Sequence, residues 1–470
     1  MVQVVGYDKS KKIDLILIGA PTSDGYKSQD IREIPAYGLG ILATIAKNKG
    51  YNVGVLDAEA QPRSSLEDIV STINGLNPRF VGFSSNTPMY TNTLKICSVI
   101  NRNIPIIIGG VHASALPRQT AEDLRENNFY LLIRGPAEDS IIDILAGIPK
   151  EQINSAVFFD SDGNFIENCR KRVGNFQDYP KVDRSFFIND PMSIDDKVIS
   201  FLLSSRGCFY DCSFCSIHTT WEQGVMFRET EDLINEMKEL YSKGVNSFRF
   251  LDDLFLVNAH RFRGFCEKLD ERGLLGRIEW AANSRVNIVN KFSERDMSLL
   301  KESRCSGMGL GLESGSDSVL NSIGKGFTSL EGERAIELLA KKGIKTYGYF
   351  ILGFPDEGEE EIKQTIEFAY HLSKKYGLRA GIVPYKLYPG SRDYRKIIGK
   401  NPSREKVHKL LQFKPALLTR AEDSDQVKKF LKGRERYTVI HDPNFFNPSS
   451  ISTDKIVEHI RNFYLRTRFS

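Results

Sequence analysis

The sequence predicts an α/β chain with three parts. These are an N-terminal doubly wound, Rossmann-like domain, a partial (β/α)6 barrel of the TIM type, and a small, mostly helical C-terminal region. Three observations carry the prediction. Two successive stretches alternate short apolar, β-branched runs with amphipathic helical patterns. The turns after those runs are rich in glycine and hydroxyl residues, at the sheet end where open α/β folds bind ligands. Three cysteines, Cys208, Cys212 and Cys215, follow the first run of the second stretch, spaced C-x3-C-x2-C in a 470-residue chain with seven cysteines.

In residues 1–150 the strand candidates are Ile13–Ile18, Val53–Leu56, Phe80–Phe83, Ile106–Ile108 and Tyr130–Ile133. Helical patterns separate them at Leu39–Lys49, Leu66–Asn74, Thr91–Ile100 and Thr120–Asn127. The turns include Gly19-Ala-Pro-Thr, Ser84-Ser85-Asn-Thr-Pro, Gly109-Gly110-Val111-His112-Ala and Arg134-Gly135-Pro-Ala-Glu138. Such small, polar turns suit a large ligand pressed against backbone. Residues 151–195 read as a hairpin, with Asp162-Gly163 at its turn, followed by a linker.

Residues 196–393 carry the second alternation. Its runs are Ile199–Leu203, Phe248–Leu251, Ile278–Ala282, Gly307–Leu312, Thr346–Leu352 and Ala380–Leu387. Six βα-like units imply a partial barrel with its chemistry at the strand carboxyl ends. Residues 394–470, with Pro415, Pro443 and Pro448 among Lys-rich helical patterns, read as a helical cap.

Composition bounds the function. A net charge of +4 on 64 basic and 60 acidic residues is too balanced to imply a nucleic-acid or membrane partner. The start has no signal-peptide pattern, and no apolar run reaches the length of a membrane span. Cys97, Cys169, Cys266 and Cys305 are widely spaced and form no disulfide framework. A reducing, cytoplasmic setting is expected.

Three thiolates on one loop can hold three corners of a four-iron, four-sulfur cube and leave the fourth iron open to a small molecule. Zinc is the alternative, because His218 extends the pattern to C-x3-C-x2-C-x2-H. Zinc ribbons, however, usually draw ligand pairs from separate knuckles.

The triplet, with Phe214 before the last cysteine, resembles the signature of the radical S-adenosylmethionine (SAM) superfamily. Gly309-Leu-Gly-Leu-Glu313-Ser-Gly-Ser-Asp, Ile323-Gly-Lys-Gly, Phe350-Ile-Leu-Gly353-Phe-Pro-Asp-Glu357 and Pro384-Tyr-Lys-Leu-Tyr-Pro389-Gly-Ser are similar to its later strand ends. Pro35-Ala-Tyr-Gly-Leu-Gly and the turns at Gly109 and Arg134 resemble the cobalamin-binding domain of one subclass. The resemblance implies that Cys208, Cys212 and Cys215 ligate a [4Fe-4S] cluster whose open iron takes SAM. It places Phe214 near the adenine, with plain core packing as the alternative.

Asp252 and Asp253 stand where relatives carry an amine-binding motif. Adjacent strand residues point to opposite faces, so one of the two would face the site. Arg285 and Glu313 stand where carboxylate and ribose contacts are expected, the alternative being a structural ion pair. Tyr347, Tyr349, Tyr385 and Tyr388 either line the substrate pocket or pack the core; Tyr349 and Tyr385 join Asp252 and Asp253 as candidate catalytic side chains. Cobalamin would rest on Ser84, Ser85, Gly109, Gly110, Val111, His112, Gly135 and Glu138.

The chain lacks the Asp-x-His-x-x-Gly motif that supplies a histidine to cobalt, so cobalamin would bind with its base displaced. Pro136 departs from the acidic or glycine-rich character of its turn. The activity the resemblance implies is methylation of an unactivated carbon in a small molecule, with a flavodoxin- or ferredoxin-type reductant. A radical lyase, dehydratase or cyclase is the runner-up. A non-catalytic zinc or cobalamin-binding protein is a third reading.

Overall fold

The structure, a computed structural model, describes residues 2–22, 34–61, 65–170, 176, 180–194, 196–221, 224–399, 415–416, 439–440 and 451–469. Pro443, Pro448 and most of the expected cap lie outside the described residues. The chain forms two compact units. The first comprises Met1–Pro191 with Ser216–Gly224 and Tyr388–Ser391; the second comprises Met192–Cys215, Val225–Leu387 and Arg392–Ser470.

The first unit is built on a seven-stranded sheet. Its strands are β1 (Leu15–Gly19), β2 (Val53–Asp57), β3 (Phe80–Ser84), β4 (Ile106–Gly109), β5 (Phe129–Ile133), β6 (Ala156–Phe159) and β7 (Phe165–Glu167), in the order β2-β1-β3-β4-β5-β6-β7. β1 to β5 are parallel. β1 and β2 are buried along their whole length, as strands covered on both faces must be. β1 lies between β2 and β3, so the winding reverses there and leaves a crevice at the carboxyl ends of β1 and β3. Helices follow with local signals. Ser65 accepts from the Asp68 N–H to start Leu66–Leu76, and Asn86 accepts from the Met89 N–H to start Thr87–Val99. The predicted hairpin is β6–β7. It extends this sheet beyond β5, because Ala156, Val157 and Phe158 are apolar enough to be buried there.

The second unit holds β8 (Met192–Ile194), β9 (Lys197–Leu202), a ribbon of β10 (Ser205–Gly207) with β11 (Val225–Phe227), β12 (Ser247–Phe250), β13 (Glu279–Ser284), β14 (Cys305–Glu313), β15 (Lys345–Leu352) and β16 (Arg379–Pro384). The main sheet runs β16-β15-β14-β13-β12-β9-β8. Its six parallel strands are those the alternation predicts. β8 adds an antiparallel edge that the sequence reading left in the linker. Trp280, Met308, Leu310, Leu312 and Phe350 alternate onto the outer face, where they are buried in the main hydrophobic core. The C-terminal helix, Thr453–Phe469, contributes Ile456, Ile460, Phe463 and Tyr464 to that same core. The Tyr464 hydroxyl accepts from the Ile382 N–H at 3.0 Å. Among the described residues, no helix is long and apolar enough to cross a membrane.

Candidate active site

The three cysteines occupy a loop closed at its base by the β10–β11 ladder, in which Ser205, Arg206 and Gly207 face Phe227, Met226 and Val225. Cys212 is buried, and Cys208 and Cys215 are half-buried. The Cys215 N–H donates to the Cys212 carbonyl at 3.1 Å, which tightens the turn between them. Two other strand-end segments hold the loop. Ser213 N–H donates to the Ile323 carbonyl, and Asp393 N–H donates to the Ser213 carbonyl, both at 3.0 Å. The Ser213 hydroxyl also donates to Asp393 at 3.1 Å. Burial raises the Cys208 thiol above its ordinary value, against the opposing pull of the Tyr210 N–H and of Arg285.

Arg285 stands beside these thiols. Its Nη1 lies 3.1 Å from Cys212 Sγ, its Nη2 donates to the Lys325 carbonyl at 2.6 Å, and its guanidinium lies 3.6 Å over the Tyr210 ring. Glu313, the other expected contact, is buried in an ion pair with Lys325 at 3.0 Å. A β-carbon at Gly311 would fall 2.4 Å from Glu313 Oε1 and 3.0 Å from Lys325 Nζ, so glycine makes room for the pair. Glu313 therefore follows the ion-pair alternative, with a lysine as its partner.

The acidic pair divides. Asp252 is buried and accepts from Ser204 N–H at 2.9 Å, Ser204 Oγ at 2.6 Å and Ser205 Oγ at 2.5 Å. Its role, contrary to the expected cofactor contact, is to anchor the backbone that enters the cysteine loop. Asp253 is the exposed member, although surrounding protein still strips bulk water from its carboxyl. That desolvation raises it to about 6, against the Gly207 N–H.

Phe214 packs against Phe354 at 5.5 Å, and Phe354 against Tyr385 at 5.2 Å. The expected reactive Tyr385 is a core residue: it is buried, and its hydroxyl donates to Asp393 at 2.9 Å. Burial, with the Asp393 charge beside it, pushes that phenol far above its ordinary range. Tyr349 is 49% exposed on the inner face of the sheet. Lys325, Glu357 and Asp393 were missed as individual site residues. Lys325 and Glu357 lie inside motifs quoted for the strand ends; Asp393 had no local signal. Glu357 Oε2 accepts from Phe354 N–H at 3.0 Å and from Gly353 N–H, which fixes the ring against Phe214. Burial pushes the Glu357 carboxyl up to about 7, against those two donors.

In the first unit the rim at the β1/β3 crevice is made of backbone. Ser84 is exposed, and Gly109, Gly110 and Val111 are half-exposed. Gly110 has φ +95°, and a β-carbon there would fall 2.6 Å from the Ser85 carbonyl oxygen. Ser85 is buried, its N–H donating to Gly109 and its carbonyl accepting from the His112 N–H. Gly135 N–H donates to Ser114 Oγ at 2.8 Å, and Glu138 is buried at the start of the helix Glu138–Leu145. The His112 imidazole is buried, stacked on Tyr90 at 3.9 Å and hydrogen-bonded to Thr87 at 3.1 Å. It belongs to the core, so this rim offers a large ligand backbone without a histidine ligand. His218, Trp221 and Tyr388 lie in the short segments that belong to this unit.

Among the described residues, no three His, Cys, Asp or Glu side chains converge tightly enough to hold a single metal ion. A four-iron, four-sulfur cube is larger than a single ion and takes more widely spaced thiolates. Three cysteines on a pinned loop, with a cationic donor at one sulfur, suit such a cube. Residues 202–369 match the family model described as Radical SAM superfamily, and residues 32–145 match that of the B12 binding domain. The chain carries a radical SAM domain and a B12-binding domain. An uncharacterized methyltransferase of Pyrococcus horikoshii is 28% identical over 90% of this chain and 91% of its own length. The anaerobic magnesium-protoporphyrin IX monomethyl ester cyclase of Cereibacter sphaeroides is 26% identical over 65% of this chain and 51% of its own length. Among solved structures, the radical SAM methyltransferase TsrM from Kitasatospora setae, with cobalamin and a [4Fe-4S] cluster bound, shares the fold. Its TM-score is 0.63 at 18% identity, over 82% of this chain and 74% of that one. Radical SAM half-barrel and B12-binding sheet thus account for the two units.

Proposed function

We propose that this radical SAM protein methylates an unactivated carbon of a small molecule with the help of cobalamin. The observation that carries the reading is the pairing, in one chain, of a pinned three-cysteine loop with a B12-binding domain. The methyltransferase relative aligned over nine-tenths of both chains supports it. When bound, the cluster and SAM would supply a 5′-deoxyadenosyl radical that takes hydrogen from the carbon, and methylcobalamin would supply the methyl group, with a second SAM restoring it and leaving as S-adenosylhomocysteine.

The chain's own residues bind and orient. Cys208, Cys212 and Cys215 hold the cluster. Arg285, through its donation to Cys212, steadies one ligand and places positive charge beside it. Asp252 fixes the entry of the loop through Ser204 and Ser205. Asp253, exposed at the end of β12, accepts hydrogen bonds from the ammonium of SAM. Glu357 holds Phe354, and Phe354 backs Phe214. In the first unit, Ser84 and the backbone of Gly109–Val111 receive the cobalamin. A flavodoxin- or ferredoxin-type protein delivers the electron.

The test is anaerobic turnover of cluster-reconstituted protein with methylcobalamin. S-adenosylhomocysteine together with 5′-deoxyadenosine and a methylated product is the expected outcome. The similarity to a cyclase favours a second reading, ring closure without methyl transfer. It predicts 5′-deoxyadenosine with no S-adenosylhomocysteine, a result that would sink the first.

A further inference from the structure

Two residues, Ser213 and Phe214, separate the second and third ligands of the cysteine loop. Ser213 meets Asp393 twice. Its carbonyl accepts from the Asp393 N–H at 3.0 Å, and its hydroxyl donates to Asp393 Oδ2 at 3.1 Å. Phe214 reaches the same side chain through packing. Its ring meets Phe354 edge-on, Phe354 meets Tyr385, and the Tyr385 hydroxyl donates to that same Oδ2 at 2.9 Å. One carboxylate oxygen thus closes a ring of contacts that begins and ends on adjacent residues of the loop. Asp393, Ser213, Phe354 and Tyr385 are all buried.

A closed ring of buried contacts fixes its members more firmly than an open chain does. No member moves without breaking a hydrogen bond or opening a gap in close packing. Its polar part is demanding, because a carboxylate withdrawn from water needs donors to replace its hydration. Here two hydroxyls do so, and hydrogen bonds to a carboxylate are stronger than those between neutral groups. Each half of the ring also has its own support. Glu357 accepts from the Phe354 N–H, and the Ser213 N–H donates to the Ile323 carbonyl. What Asp393 adds is the relation between the halves: how the Phe214 ring stands to the loop that carries the thiolates. A molecule on the iron that those thiolates leave open lies beside this loop, and reactive geometry tolerates little displacement.

We propose that Asp393 is a positioning residue for SAM: by tying Ser213 and Phe214 to one oxygen, it sets the geometry in which SAM meets the cluster. The proposal rests on reading the loop as the cluster site of a radical SAM enzyme. It adds a residue two positions beyond the last strand-end motif, Pro384–Ser391. The full chain, reconstituted anaerobically, is titrated with SAM while the reduced cluster is followed by EPR. Asp393→Ala is expected to keep about four irons per chain, to weaken SAM binding about tenfold and to alter the SAM-induced change in the EPR signal. Asp393→Asn, whose amide oxygen still accepts from both hydroxyls, is expected to bind SAM within about threefold of the native chain. A role in stability alone predicts otherwise: Asp393→Ala protein that keeps its cluster would bind SAM as the native chain does, and that result overturns the proposal. If Asp393→Ala holds no cluster, Tyr385→Phe and Ser213→Ala decide, because each removes one hydroxyl and little volume. Each is expected to weaken SAM binding about threefold with iron unchanged, and native affinity in both overturns the proposal. Native protein that holds its cluster yet shows neither a SAM-dependent EPR change nor 5′-deoxyadenosine refutes the radical reading, and the proposal falls with it. A native response that survives intact in every variant refutes the role of Asp393 alone.

Discussion

The rim of the first unit and the mouth of the second are built from different parts of the residue. In the first unit, Ser84 apart, the polar side chains near the strand ends are committed inward: His112 to Thr87 and Tyr90, and Tyr90 to Asp123. What they leave at the surface is backbone, shaped by Gly110 and Ser85. In the second unit the side chains themselves do the work: three cysteines, Arg285 on Cys212, Lys325 on Glu313, and Asp252 under the loop. A large cofactor that brings its own reactive atom needs shape and contact area. A cluster that must be built from ions needs ligands, charge and a fixed loop.

The widest way to break this contrast is to remove a ligand. Cys212→Ala should cut bound iron from about four per chain to less than one, by iron and sulfide analysis, while cobalamin absorbance stays. Loss of both would show that the two regions are not separately built. Next comes the anchor under the loop. Asp252→Ala leaves the Ser204 and Ser205 donors buried without an acceptor and should cost about 3 kcal/mol in denaturant unfolding. Asp252→Asn should recover part of that, because its amide oxygen still accepts.

Glu357 sharpens the second region through pH. Its folded carboxyl is raised to about 7 from an ordinary 4.5. The proton it binds therefore stabilises the fold fully below 4.5, and that contribution is lost as pH rises through 7. Glu357→Gln keeps an acceptor for Gly353 and Phe354 without the charge. It should gain up to about 3 kcal/mol over the native chain at pH 8 and little at pH 4, by thermal melts. In the first region, Gly110→Ala drives a methyl group against the Ser85 backbone at a positive φ. About 2 kcal/mol of stability and the cobalamin absorbance should go, with iron content unchanged. The smallest effect is electronic. Arg285→Met removes the cationic donor at Cys212, and the cluster potential should fall by about 50 mV in an EPR-monitored titration. An unchanged potential would mean that the arginine serves only SAM.

How much of this was legible depends on the range of each signal. The parallel strands of both sheets, four to nine residues long, were readable because buried strands announce themselves as apolar runs. β8 and the β10–β11 ribbon were not, because three-residue strands carry too little periodicity to register. The cysteine loop was readable from spacing alone. The fates of Asp252 and Tyr385 were not, because the donors to Asp252, Ser204 and Ser205, and the acceptor for Tyr385, Asp393, come from other segments. The Arg285 contact with Cys212 joins residues 73 apart, and no local pattern encodes it.

The sequence by itself determined the two α/β alternations, the three-cysteine loop and the kind of chemistry that such a loop serves. These are properties of consecutive residues: side-chain period, turn composition and ligand spacing. Only the tertiary structure decided which member of the acidic pair is exposed, that Glu313 is spent on Lys325, that His112 belongs to the core, and that Tyr385 is spent on Asp393. The physical reason is common to all four. Burial and partner choice are set by strand register and by packing between distant segments, which no run of neighbouring residues contains.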